Sequence, residues 1–313
     1  MSVPARQLEP DLWLLDLDFQ GTAGVVAAYL ITGPDGHTLV ETGPGSTLGM
    51  LERAVVATGT RLDDIAQLAV THIHLDHAGA AGSLLRRLPN ARLFVHPAGA
   101  AHMIDPSKLL ASATRIYGDR MDALWGAFEP CPADRVVTLD DGIELACGRR
   151  TLVALHTPGH ASHHIVFHDP ERRTVFTGDV GGVRLARSSY VRPPTPPPDI
   201  DIGAWHASVE RIRALAPRAL DLTHFGRFDD PMPHLDALLR RLDEWTAWVL
   251  RRLRDGIAPD MMARELKEIS DAELLREPTA VGLAEAYELA TPAGMTVDGL
   301  VRYVKKGGKK VRK

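Results

Sequence analysis

Seven consecutive residues, Thr71-His72-Ile73-His74-Leu75-Asp76-His77, constrain this chain more than any other segment. Three imidazoles and a carboxylate fall within six positions, and these are donors that borderline cations such as zinc accept. The run before them, Ile65 to Val70, is apolar apart from one glutamine and predicts a buried strand. The run after them, Ala78 to Leu85, predicts a loop turning into a helix. On extended backbone His72 and His74 point to the same side. Asp76 and His77 then lie on the turn and face a second point, so one short segment can serve two adjacent metal ions.

With 313 residues the chain can bury a large core, as one domain or one domain with an appendage. A formal net charge of -4 gives no general attraction to nucleic acid, and none is expected as a partner. Only the end, Lys305 to Lys313, is strongly basic, and it reads as a solvated terminus. Two cysteines, Cys131 and Cys147, imply no disulfide framework and fit a reducing cytoplasm. No apolar run approaches the ~20 residues that span a bilayer, and the N-terminus lacks the apolar core of a secretion signal.

Short strands are expected at 12–19, 25–32 and 38–42, with Gly33-Pro34-Asp35-Gly36 as the turn between the last two. A helix is expected at 47–58, and strands at 65–70 and 93–95. Residues 98–128 read as a helical, irregular insertion. Strands resume at 135–139, 143–146, 151–155, 164–168, 174–178 and 219–223, with a helix at 204–215. The segment Arg192 to Pro198 is mostly proline and predicts a stiff extended loop. From Pro233 onward the pattern is helical, at 233–255, 259–268, 271–276, 280–290 and 296–305. The expected organisation is a catalytic domain over 1–230, a helical region over 231–306 and a basic tail over 307–313. Strands and helices in this order suggest two sheets packed together and covered by helices.

Three further candidate ligands each follow a hydrophobic run and sit beside glycine: His160 in TPGH, Asp179 in TGD and His224 in THFG. Loops at strand ends can converge such residues from distant sequence. With THIHLDHAG, these motifs resemble the metallo-β-lactamase superfamily over roughly residues 10–230. The resemblance implies an α+β, four-layer αββα sandwich with metals at one edge. It implies that His72, His74 and His160 hold one ion, that Asp76, His77 and His224 hold the other, and that Asp179 bridges them. Two divalent ions are the implied cofactors, zinc first, with manganese, iron or nickel served by the same donors. A hydroxide shared by the pair, formed near neutral pH, would attack a carbonyl or phosphorus. Asp76 is the implied catalytic acid, orienting the nucleophile or passing a proton to the leaving group. One departure stands out. The family's early strand ends in Asp-Thr-Gly, whereas here it ends in Glu41-Thr42-Gly43. That acid supports the metal loop from behind the ligands, and the extra methylene of Glu41 can re-route its hydrogen bonds.

A bridging acid separates this pattern from the true β-lactamases. It points to glyoxalase-II-like, lactonase-like or phosphodiesterase-like members, and so to hydrolysis of an ester, lactone or thioester, with promiscuity toward phosphodiesters. Acyl-homoserine lactonases carry a tyrosine three residues after the bridging acid, where this chain has Gly182. The alternative is a mononuclear iron, persulfide-dioxygenase-like oxidoreductase. Arg184, Arg187 and Tyr190, between Asp179 and the proline loop, are candidate contacts for a small-molecule substrate. The absence of a GxGxxG segment argues against a dinucleotide enzyme. The apolar C-terminal helices can serve equally as a lid or as a homodimer interface.

Overall fold

A computed structural model describes residues 4–185, 188–280 and 282–307. Its strands fall into two sheets, of seven and six strands. The chain divides into two compact units, Met1–His156 with Ile165–Arg172, and Thr157–His164 with Arg173–Lys313.

The first unit carries the whole seven-stranded sheet, whose strands lie side by side in chain order. They are β1 (Ala5–Glu9), β2 (Leu12–Asp16), β3 (Ala27–Ile31), β4 (His37–Val40), β5 (Ile65–Ala69), β6 (Arg92–Val95) and β7 (Val136–Thr138). From β1 to β4 the neighbours are antiparallel and joined by short connections. From β4 to β7 they are parallel, so each connection must cross over and does so through helices. The interior strand β3, Ala-Ala-Tyr-Leu-Ile, is buried along its full length, as a strand covered on both faces must be. Each buried Leu or Ile there contributes about 1.5–3 kcal/mol. Leu51, Ala54 and Val55 form the buried stripe of the Leu48–Ala57 helix, which packs on β2. The insertion folds as helices Pro97–Ile104, Ser107–Tyr117 and Met121–Trp125.

An antiparallel set, β8 (Glu144–Cys147), β9 (Arg150–His156) and β10 (Ile165–Asp169), completes this unit. Its first residue in β9, Arg150, is fully buried among carboxylates. Nη2 donates to Glu9 at 2.8 Å, Nε to Asp11 at 3.0 Å and Nη1 to Asp169 at 3.2 Å. The β1–β2 turn is thereby tied to β9 and β10.

In the second unit β11 (Thr174–Phe176) pairs in parallel with β12 (Ala219–Leu222), and β12 pairs antiparallel with β13 (Gly226–Phe228). The helix Ile202–Ala214 is capped by the Asp201 carboxylate, which accepts from Ala204 N. Helices Pro231–Arg254, Pro259–Leu274, Ala284–Ala290 and Ala293–Lys305 pack on one another. The proline loop is seated on the last of these. A Cβ at Gly299 would fall 1.8 Å from Thr195 O, and Thr195 Oγ1 donates to Thr296 O.

Two strands depart from the sequence expectation. The strand β1 has a weak alternation, Ala-Arg-Gln-Leu-Glu, at the sheet edge. The strand β13 has only three residues and is held by the Arg227 guanidinium, which grips both oxygens of Asp221 on its cross-strand partner. The helices expected at 259–268 and 271–276 form one, Pro259–Leu274, with Leu266, Ser270 and Leu274 continuing a single buried stripe. The basic tail beyond Gly307 lies outside the described residues.

Candidate metal centre

Parallel strands leave their carboxyl ends at one edge, and loops leaving that edge are where α/β proteins place ligands. In the first unit β4 runs into Glu41-Thr42-Gly43 and β5 runs into Thr71-His72. His72 and His77 are fully buried. His72 Nε2 lies 2.9 Å from His74 Nδ1, and the ring centres of His72 and His77 are 4.0 Å apart. Asp76 Oδ2 lies 3.8 Å from His77 Nε2. Nitrogen lone pairs crowded in this way are favourable where they converge on a cation.

Glu41 stands behind them. Its Oε1 accepts from Thr71 Oγ1 at 2.5 Å and lies 3.0 Å from His77 Nδ1, and its Oε2 accepts from Thr71 N at 3.3 Å. A carboxylate on Nδ1 fixes the proton there and leaves Nε2 as the donor, the usual arrangement behind a metal-binding histidine. The added methylene therefore lets one acid hold both Thr71 and His77. The backbone at Glu41 takes φ 64°, the left-handed region that side chains rarely adopt.

In the second unit three more candidates converge. Asp179 lies in a 3-10 turn, Gly178–Gly181, directly after β11. Its Oδ2 is 3.3 Å from His160 Nε2, and its Oδ1 is 3.5 Å from His224 Nε2. One carboxylate thus offers a separate oxygen to each imidazole. The other nitrogen of His160, Nδ1, lies 2.8 Å from Pro194 O. His224 is fixed through its backbone, because its carbonyl accepts from Arg184 N and Phe225 N donates to Arg184 O.

The support for this second group was only partly visible in sequence. Gly159 lies against Trp205, where a Cβ would come within 2.4 Å of the backbone, and Trp205 Nε1 donates to Val180 O in the Asp179 turn. His164 bonds Thr157 Oγ1 through Nδ1 and accepts from Val180 N through Nε2, so it packs the turn. His234 Nε2 lies 2.7 Å from Gly181 O. The usable signal for Pro194 was the proline run itself, which has carbonyls to offer and few amides to pair them.

The expected substrate wall is placed differently. Arg184 is buried, donates to Asp230 Oδ1 at 2.7 Å and to Ser188 O, and lies 4.2 Å above the Phe228 ring. Tyr190 is buried, donates to Glu273 Oε2 at 2.7 Å and stacks under Arg241. Both side chains are committed to the interior of their own unit. Arg187 lies outside the described residues.

Residues 21–224 match the Metallo-beta-lactamase superfamily. The chain belongs to the metallo-β-lactamase superfamily. Among its relatives, a metallo-beta-lactamase fold-containing protein of Sulfurisphaera tokodaii is 27% identical over 206 residues, 64% of this chain and 73% of that protein. A hydroxyacylglutathione hydrolase of Aeromonas hydrophila is 29% identical, covering 58% of this chain and 54% of the relative. An acyl-coenzyme A thioesterase of Bos taurus is 26% identical, covering 49% and 57%. The chain thus spans little more than half the length of these last two. A metallo-beta-lactamase family protein of Thermus thermophilus shares the fold over 96% of this chain and 95% of its own, with TM-score 0.70 at 21% identity. The α+β metallo-β-lactamase fold expected from the motifs, with helices added at the C-terminus, is the fold of this superfamily member. No helix among the described residues is long and apolar enough to cross a membrane.

Proposed function

We propose that this superfamily member is a dinuclear, metal-dependent hydrolase of an ester, lactone or thioester. The observation that carries the reading is Asp179, whose two oxygens face two different imidazoles at 3.3 and 3.5 Å. A carboxylate spread between two nitrogen donors suits a pair of cations better than one. In the proposed arrangement His72, His74 and His160 hold one ion, Asp76, His77 and His224 hold the other, and Asp179 spans them. Zinc is the proposed ion. When bound, such a pair acidifies a shared water and polarises the oxygen that gains charge.

The chain's own groups do the remaining work. Glu41 and the Pro194 carbonyl sit at the Nδ1 atoms of His77 and His160, which leaves each Nε2 as the inward donor. Asp76, partly exposed at its carboxylate, orients the nucleophile and passes a proton toward the leaving group. Among the three bond types a thioester is favoured, since two relatives are a hydroxyacylglutathione hydrolase and an acyl-coenzyme A thioesterase. The proposed setting is the cytoplasm, with a small molecule as substrate.

The test is metal content per chain on protein purified without added metal, together with turnover of an ester, a lactone, a thioester and a phosphodiester. About two ions per chain and turnover of one class are expected. Asp179→Ala should lose most of that turnover and release metal, with the melting curve of the folded protein retained. A folded Asp179→Ala protein with undiminished turnover sinks the bridging role. One iron per chain, oxygen uptake and no hydrolysis would replace the reading with the persulfide-dioxygenase-like one.

A further inference from the structure

The insertion between β6 and β7 carries a tyrosine that the reading above does not use. Tyr117 ends the helix Ser107–Tyr117, whose only buried residue is Ala113. Its ring is half-buried and meets Trp125 edge-on, with centres 5.0 Å apart, while Trp125 stacks on Phe19 at 5.6 Å. Its hydroxyl has no hydrogen-bond partner among the described residues, and its oxygen is not completely buried. An aromatic ring gripped on one side with its hydroxyl left unpaired is built to meet something polar.

Close backbone packing connects that ring to the ligand loop within the first unit. Gln20 Nε2 donates to Ala123 O, and Ser46 Oγ donates to Leu124 O at 2.7 Å, so the Met121–Trp125 helix is fastened to two loops. A Cβ at Gly126 would fall 2.6 Å from Ser46 N, and one at Gly45 would fall 2.1 Å from Ala127 O. A Cβ at Gly79, three residues after Asp76, would fall 2.9 Å from Pro44 Cα. Glycines at these contacts let the insertion, the 43–46 loop and the Asp76–His77 turn press together without side chains between them. Burial raises the phenol's pKa, and the Asp76 carboxylate raises it further, so the group remains a neutral donor.

We propose that Tyr117 is a substrate-contacting residue, whose hydroxyl donates a hydrogen bond to a carbonyl-type oxygen of the substrate beside Asp76. The proposal rests on the hydrolase reading for what the substrate is, and adds which side chain outside the ligand set grips it. The anchored ring fixes the direction of the O–H, so the contact selects for an acceptor oxygen.

The test compares wild type with Tyr117→Phe, which keeps the ring against Trp125 and removes only the hydroxyl. Both proteins, carrying their metal, are assayed on phenyl acetate, δ-valerolactone and S-phenyl thioacetate. Both are also titrated calorimetrically with acetanilide, an amide isostere of phenyl acetate. A lost neutral hydrogen bond predicts a fall of about three- to tenfold in kcat/KM, carried by KM, and a similar loss of acetanilide affinity. Unchanged melting is expected, because the hydroxyl bonds none of the described residues. Equal acetanilide affinity in the two proteins overturns the proposal, as does an effect on melting alone. Wild type that turns over none of the three, yet binds acetanilide more tightly than the variant, sinks the hydrolase reading and leaves this contact standing.

Discussion

His77 Nδ1 lies 3.0 Å from Glu41 Oε1, with both side chains buried. The same carboxylate holds Thr71, the residue before the first histidine, through both its hydroxyl and its amide. One acid therefore fixes both ends of the segment His72 to His77. Its left-handed backbone is an observed strain, held in place by these three bonds.

Glu41→Asp should uncouple that arrangement. The shorter side chain cannot reach Thr71 and His77 together from the same backbone position. Loss of such outer support weakens metal binding about ten- to hundredfold. Competition with a chromogenic chelator on metal-stripped protein measures this directly. Wild-type affinity in the variant would show that the His77 ring is oriented by something else.

Much of this site could be read from residue order. The strand at β5 delivering THIHLDH, and the strand-end positions of Asp179 and His224, follow from apolar runs that stop at ligand types. Glu41 was legible as a departure, but its twofold grip was not, because that depends on the reach of one methylene across 30 residues of chain. Arg184 and Tyr190 illustrate the opposite case. In sequence they are a polar loop after a ligand, and nothing local shows that Asp230, Phe228, Glu273 and Arg241 will fold over them. Pairing across such distances is a tertiary property. For the same reason β13 was invisible, since three residues carry no period and the strand depends on the Arg227–Asp221 pair.

His234 makes stability pH-dependent in a specific window. It is wholly buried beneath the Asp179 turn, and that burial lowers its pKa from 6.5 to about 4, helped by the nearby Arg184 charge and opposed by the bond to Gly181 O and by Asp230. Because the folded value is the lower one, the unfolded chain takes up the proton first as pH falls. The neutral ring's contribution is fully present above the unfolded value of 6.5 and is lost as pH falls toward 4. Between pH ~7.5 and ~5 the loss is about 2 kcal/mol. His234→Gln keeps an amide that can donate to Gly181 O but does not titrate. Urea unfolding of metal-stripped protein at both pH values should show the wild type losing about 2 kcal/mol more than the variant. Parallel losses in the two proteins would mean that His234 is not the titrating group.

Arg150 should be the most consequential single side chain outside the metal centre. Its guanidinium is fully buried, and Asp169 beside it is nearly so, while Glu9 and Asp11 are about a fifth exposed. Arg150→Met keeps most of the apolar length but leaves three carboxylates with the partly exposed Arg172 guanidinium as their neighbouring charge. Removing one member of a buried ion group costs about 3–5 kcal/mol, and partial exposure of two partners places this case near the lower end. Arg150→Lys keeps the charge without the planar fork and should cost less than Arg150→Met. Acid adds a second readout. Burial raises the Asp11 pKa, but the hydrogen bond and charge of Arg150 outweigh it and hold the carboxyl below its usual value. That contribution is present above the ordinary carboxylate range and is lost as pH falls through the depressed value. Arg150→Met should therefore be less stable at neutral pH and lose less of its stability on acidification. A variant that matches wild type in urea at neutral pH would show that the three carboxylates are satisfied without the guanidinium.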